Sequence, residues 1–440
     1  MEPDQDLRDT PLFKILCKYL ALLCVAIALG GLLLFDKNFA VFRVGPFYAL
    51  DFLFLVWVFF AAVAGFDFQR ISSVVKDLRF VLLFFAWGSF LFLLSLLRAK
   101  GLPPYESYSR IFQHGIIFVY PLLWSIAGYW TFSLDEKFAP SLAYFVAGLA
   151  FCFNLFGILS PSLAGMGSLF VIVGLFIWRH SFSKEISTKQ KSAEWLLSGL
   201  IVFFIFLPYW NMWVVHMQRT NLIALFGMIL LVPILIRKPA MAFVLFGVFF
   251  AGAMTMTKLH FPTGLKDNFY AVMQHGDDVA QAESEKPFQF RTRLYLWKKA
   301  YAQWREHPFL GVGFVEEVPP MTLDDYNYIH SSHFKEIPSD LLLSGPHNSY
   351  LGMAARMGII GLGLWLVMFF NWLRATRALW KDKPLAVGLI SVFVVVNGAL
   401  YALFNVGLES PHNSVAMWLF FGGTLFLVSP LKKSFLQKSV

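Results

Sequence analysis

Runs of about twenty apolar residues, divided by short polar breaks, follow one another from residue 12 almost to the end of the chain. Each is long enough to cross a hydrocarbon core of roughly 30 Å as an α-helix. The pattern predicts about twelve spans. They fall at 12–35, 46–66, 79–97, 111–131, 138–159, 161–178, 194–213, 217–236, 239–257, 347–373, 384–405 and 411–429. In "LSPSLAG", Pro161 and Gly165 are read as the turn between two of them. The ten-residue alternation of a transmembrane β-barrel is not the pattern here. The expected class is an all-α polytopic membrane protein.

One connection is long, residues 258–345. Loops of that length in compact proteins are usually functional. Within it, "RTRLYLWKKAYAQWREHP" places Leu294, Trp297, Tyr301 and Trp304 at helical spacing, an apolar face with Lys298, Lys299, Arg305 and Glu306 mostly elsewhere. Pro308 stops that helix, and "FLGVGF" reads as a turn. An amphipathic helix with two Trp and basic residues is expected to lie in the headgroup plane. The rest of the loop, "EEVPPMTLDDYNYIHSSHFKEIPSDLL", is acidic and irregular. The chain therefore divides into transmembrane helices over 1–257, a large, partly helical external loop over 258–345, and final helices with a tail over 346–440.

Composition agrees, with 58% hydrophobic and 14% charged residues. The net charge of +9 would raise the question of nucleic acid, but the basic residues have a topological explanation. "RHSFSKEISTKQK", "RKP", "RATRALWKDK" and "KKSFLQK" all fall on one side if the N-terminus is inside. That is the positive-inside bias, and it predicts both termini in the cytoplasm and the long loop outside. Cys17, Cys24 and Cys152 lie inside predicted spans, so no disulfide framework is expected. The polar N-terminus followed by a long apolar run reads as a retained first helix rather than a cleaved signal.

Charged and titratable groups at the ends of membrane helices are the candidates for chemistry. "SGPHNS" opens the span at 347, and "SPHNS" opens the last span. Pro346 fits a first helical position, which makes His347 the second. The positive end of the helix dipole there favours a neutral imidazole, the form a general base needs. Asn348 is placed to orient a ring or a sugar. His412 follows Pro411 in the same way, and local physics does not separate the two copies. Arg219 opens another outer helix end, in "HMQRTNLIALFG", with His216 three residues before it. Arg291 and Arg293 precede the amphipathic helix.

The bland reading of these arginines is anchoring at lipid headgroups. The chemical reading is a cationic cluster, because the guanidinium fork matches two phosphate oxygens at once. Arg356 lies inside its helix and reads as structural, paired with a group such as Glu409. His330 and His333, in "HSSH", are too few for a metal site, and Glu316, Glu317, Asp324 and Asp325 read as a solvated face. Neither a phosphate-binding loop nor a zinc-hydrolase motif occurs.

"QRTNLIALFG", "RLYLWKKA…HPFLGVGF" and "PHNSYL…MGIIGLGLW", in this order around a large external loop, resemble the O-antigen ligase and polymerase superfamily of bacterial inner-membrane glycosyltransferases. The likeness is most specific from about 210 to 370, while the earlier helices match only in number and hydropathy. It implies about twelve transmembrane helices and an active site facing the periplasm of a Gram-negative cell. It also implies a donor glycan on undecaprenyl diphosphate and, for a ligase, a lipid A–core acceptor. By matching motif, His347 is implied as the base, and Arg219 and Arg293 as diphosphate binders, with Arg291 a neighbour and Asn348 and His216 in support. Neither a metal nor another cofactor is implied. The other readings are a polymerase joining carrier-linked repeats, a protein O-oligosaccharyltransferase, and, from a different class, a flippase for lipid-linked glycan. A transporter would place its ionisable groups at mid-membrane. Here they gather at one face, which favours an enzyme.

Overall fold

The computed structural model of the chain describes residues 11–35, 39, 42–44, 47–65, 71–99, 104–134, 285–316, 318, 322–324, 346, 348–382, 399, 402, 403 and 411–429. These are almost wholly helical. Helix α1 (Pro11–Phe35) leads to a two-residue antiparallel pair, β1 (Arg43–Val44) and β2 (Phe47–Tyr48). Then come α2 (Ala49–Gly65), α3 (Ile71–Asp77), α4 (Arg79–Arg98) and α5 (Pro104–Leu134). Helices α6 (Glu285–Glu306), α7 (Ser349–Asp382) and α8 (Pro411–Val428) complete the described elements.

Among the described residues four stretches are long and apolar enough to cross a membrane: Leu12–Leu32, Arg79–Arg98, Ile117–Leu134 and Ser349–Ala378. The apolar helices Ala49–Ala64 and Met417–Val428 are shorter. Helices stand within the spans expected at 12–35, 46–66, 79–97, 111–131, 347–373 and 411–429, with α5 and α7 extending beyond theirs into polar turns. The five spans expected between 138 and 257 lie outside the described residues, and of 384–405 only three residues are described.

Burial along α4 shows how these helices pack. Val81, Phe84, Gly88, Leu91 and Ser95 form one buried stripe at helical spacing. At Gly88 a Cβ would strike the Phe118 ring, so α5 sits directly on α4. Leu83, Phe90, Leu93 and Leu97 point outward. Exposed large apolar side chains are expected where the surroundings are lipid.

Helices α5 and α8 approach more closely still. A Cβ on Gly128 would run into the backbone carbonyl of Leu419, and one on Gly422 into that of Ser125. Small residues at such crossings let backbones meet, which is how helices associate where apolar burial alone gives no advantage. Polar pairs tie the bundle: Tyr120 Oη to Asp51 Oδ1 at 2.8 Å, Tyr129 Oη to Asp77 Oδ2 at 2.7 Å, and Trp57 Nε1 to Thr131 Oγ1 at 3.0 Å. Donors buried away from water need such partners.

Candidate functional site

The site is built where α6 ends and α7 begins. Helix α6 stops at Glu306 because Pro308 cannot continue it, as expected from the sequence. The chain then turns tightly, with Gly311 N bonding His307 O at 2.9 Å. Gly311 and Gly313 both have positive φ, at 69° and 82°. This strap, residues 307–316, lies against an interruption in α7. At Gly358 the helix is broken, with φ 68° and ψ −175°.

The break redistributes backbone hydrogen bonds instead of leaving them unmade. In a continuous helix Ile359 N would bond the Ala355 carbonyl. Here it donates to Pro308 O at 2.8 Å, and Ala355 O accepts from Val312 N at 2.9 Å. Arg356 O accepts from Gly313 N at 3.0 Å, and Met357 O from Trp87 Nε1 at 3.0 Å. Phe314 N reaches Ser95 Oγ at 3.0 Å, and Ser95 Oγ donates to Leu91 O at 2.7 Å. Irregular backbone is tolerated beside an apolar helix only when its polar groups are satisfied in this way. Gly358 admits no side chain, since a Cβ there would meet the Phe309 carbonyl.

As a result α7 consists of a short arm, residues 349–357, and a long helix from 359 onward. Asn348 caps the arm: its Oδ1 accepts from Leu351 N at 3.0 Å, and its carbonyl accepts from Gly352 N at 2.9 Å. This corrects the expected start, in which Pro346 was the first helical residue and His347 the second. The Asn cap takes precedence because it satisfies an amide that a helix begun at Pro346 would leave to other partners. In the second copy the helix begins at Pro411, as expected, with His412 second. The two PHNS copies are therefore set differently in the fold. Residue 347 immediately precedes the cap of the arm, whereas residue 412 is inside its helix.

Behind the arm lies a buried polar knot. Arg356 is only 7% exposed. Its guanidinium spans the His114 ring of α5, with Nη1 3.0 Å from Nδ1 and Nη2 3.2 Å from Nε2. Nη1 also donates to Glu316 O at 3.2 Å. His114 Nδ1 lies 3.2 Å from the Phe314 carbonyl, which can only accept. Nδ1 thus faces both a donor, Arg356 Nη1, and an acceptor, the Phe314 carbonyl, and the role of each ring nitrogen depends on the tautomer. Phe314 is fully buried and packs on Phe118 of α5. Arg356 had been expected to pair with a group such as Glu409, which lies outside the described residues.

Arg291 and Arg293 lie within α6, whose described start at Glu285 corrects the expectation that they precede it. Leu296, Ala300 and Gln303 are the buried positions of this helix, while Leu294 and Tyr301 are 46% and 49% exposed. The buried positions thus lie apart from Leu294 and Tyr301 of the apolar face expected at the headgroup plane. Small Ala300 lets α7 come close, where it packs with Val312, Val318 and Ala355. Positions 293, 296, 300 and 303 share one face, and Arg293 is half-buried there. Position 291 is about 200° away around the axis.

His347, Arg219 and His216 lie outside the described residues, as do His330 and His333. Among the described residues no group of three side chains could hold a metal ion. Sequence reasoning missed His114, Ser95 and Trp87. A signal for the first was present: an imidazole in "IFQHGIIF", inside a predicted span, is an ionisable residue of the kind that marks function in membranes.

Residues 201–366 match the family model described as O-antigen ligase. The chain is similar to that family over this segment. The matched segment contains the arm, the strap and α6, together with residues 216, 219, 291, 293, 347 and 348. No curated protein matches the chain.

Proposed function

We propose, proceeding from the O-antigen ligase domain over residues 201–366, that the protein moves a glycan from undecaprenyl diphosphate to a sugar hydroxyl of lipid A–core. The observation that carries this reading is the match itself, which covers every residue the chemistry requires. His347, placed just before the capped arm of α7, takes the proton of the acceptor hydroxyl. The acceptor oxygen then forms a bond to the anomeric carbon as the bond from that carbon to the diphosphate oxygen breaks. The electron pair leaves with the diphosphate, and Arg219 and Arg293 stabilise the charge. Direct displacement inverts the anomeric centre. The leaving group is already activated, so neither acid catalysis at an alkoxide nor a metal is needed. The site faces the periplasm of a Gram-negative inner membrane, with residues 258–345 as the outer loop and both termini cytoplasmic. The loop charges support this orientation.

Arg293 contributes more to donor binding than Arg291 in this reading. It shares the face of α6 that carries Leu296 and Ala300, and position 291 does not. Arg293→Ala is expected to raise the donor KM about tenfold or more, corresponding to loss of a charge-assisted pair of about 1.5–3 kcal/mol. Arg291→Ala should change it less than threefold, on the scale of an exposed charge. Equal losses in the two variants would remove the distinction.

The function is tested with purified protein in lipid nanodiscs, an undecaprenyl-diphosphate oligosaccharide and lipid A–core, with and without EDTA. Product that requires lipid A–core and is insensitive to EDTA is expected. A ladder of longer carrier-linked glycans without lipid A–core would make the protein a polymerase. Transfer to a Ser- or Thr-containing protein instead would overturn the acceptor assignment, and absence of any product would favour transport.

A further inference from the structure

We infer that Arg356 and His114 are positioning residues, which together fix the setting of the short arm 349–357, whose Asn348 cap follows the proposed base His347 in sequence; the inference rests on the proposed function. The break at Gly358 is the reason such a device is needed. Residues 349–357 make only about two and a half turns. Because the helical hydrogen bonds are interrupted behind them, their direction is not inherited from the long helix 359–382. It is set by what grips the arm from the side. The strap grips its backbone through Val312 N and Gly313 N. Those bonds join the arm to the strap and to nothing else. The strap itself is tied to α4 through Phe314 N and Ser95 Oγ.

The tie to α5 is made by side chains. Arg356 is the one arm residue whose bonds reach both α5, at His114, and the strap, at Glu316 O, among the described contacts. His114 in turn reaches the Phe314 carbonyl of the strap. Arm, strap and α5 therefore close a triangle with Arg356 and His114 at its centre. Without it the arm keeps its cap, its backbone bonds to the strap and the Trp87 bond to Met357 O, but loses its tie to α5. The first turn of the arm, which follows the proposed base in sequence, is then held less firmly. Misplacement of a catalytic group by about 1 Å costs on the order of a hundredfold in rate. Donor binding, assigned to arginines outside the arm, is left largely intact.

The chemistry of the pair dictates the variants. Asn at 114 has an amide to donate to Phe314 O and a carbonyl to accept from Arg356, whereas Phe at 114 fills the space and offers neither. Met at 356 keeps the stem and loses the fork. Kinetics of glycan transfer and hydrogen exchange of the full-length protein in nanodiscs are measured for His114→Asn, His114→Phe and Arg356→Met. His114→Phe and Arg356→Met are expected to lose about a hundredfold in kcat with donor KM within a few-fold of the parent. His114→Asn should recover most of the rate. Exchange of the amides of 311–314 and 349–357 should quicken in the two disruptive variants and return to parental rates in His114→Asn.

Unchanged exchange in Arg356→Met would overturn the inference whatever the activity. Equal kcat losses in His114→Asn and His114→Phe would overturn it as well, since the bonds would then be irrelevant. Quickened exchange, restored by Asn, in a parent protein that transfers no glycan would uphold the tie to the arm and defeat the glycosyl-transfer reading.

Discussion

Replacing His347 with Ala is expected to lower kcat for glycan transfer by about a hundredfold to ten-thousandfold, the range for loss of a positioned general base. The argument combines chemistry with placement. An acceptor sugar hydroxyl is a poor nucleophile until its proton is taken. In sequence His347 directly precedes Asn348, which caps the arm. The positive end of a helix dipole favours neutral imidazole over imidazolium, which is why a base is proposed at this position. Membrane insertion should be unaffected, because the cap bond is made by Asn348 and the arm is held by the strap. The check is steady-state transfer in nanodiscs, with His412→Ala as the companion variant. Residue 412 is within α8 and should tolerate the change with activity near the parent. A His347→Ala protein that inserts normally and retains full rate would remove the base assignment. Loss in the His412 variant alone would transfer that role to the second copy.

The second large effect is expected at Gly358. A φ of 68° with ψ −175° lies in a region used essentially by glycine alone and costs a residue with a Cβ about 1–3 kcal/mol on its own. Here the Cβ also meets the carbonyl of Phe309, which is backbone and cannot rotate away. Gly358→Ala should therefore lower the melting temperature in detergent clearly and disable transfer, and Gly358→Val should prevent folding. Gly363, five residues on, is the internal control, because a Cβ there meets nothing within 4 Å. Gly363→Ala in the same helix should be neutral or stabilising by up to about 1 kcal/mol. Matching melting temperatures for the two Ala variants would mean that the break is not a feature of the folded protein.

The contrast between these two glycines also shows how much of the fold could be read in advance. Hydropathy placed α1, α2, α4, α5, α7 and α8, because a membrane helix must be apolar over a fixed length, and that requirement is local. The stop at Pro308 and the turn in "FLGVGF" were legible for the same reason. The break was not. Gly358 stands in "ARMGIIGLGLW" among other glycines, in a run whose hydropathy is continuous. What singles it out is Pro308, whose carbonyl takes the Ile359 amide. The Arg356–His114 pair is hidden more deeply, since its partners are 242 positions apart. On α6 an apolar face for the headgroup plane was legible, but the contact with α7 at Ala300 was not. Close approach rewards small volume, and a hydropathy pattern does not report volume. Of the candidate site, Asn348 and the two arginines of α6 could be placed on the fold, with positions 293 and 291 on different faces of that helix.

The interrupted helix also bears on how the protein is made. The strap at 307–316 leaves the ribosome before residues 349–382 exist, so its Val312 and Gly313 amides must wait for the carbonyls of Ala355 and Arg356. When Ser349–Ala378 enters the bilayer, the hydrogen bonds nearest to hand are its own, and an unbroken helix satisfies them. Docking then exchanges those bonds for the strap's. Spanning and arm formation thus have separate requirements: Ser349–Ala378 is apolar enough to cross by its own hydrogen bonds, whereas the broken arm exists only with the strap docked against it.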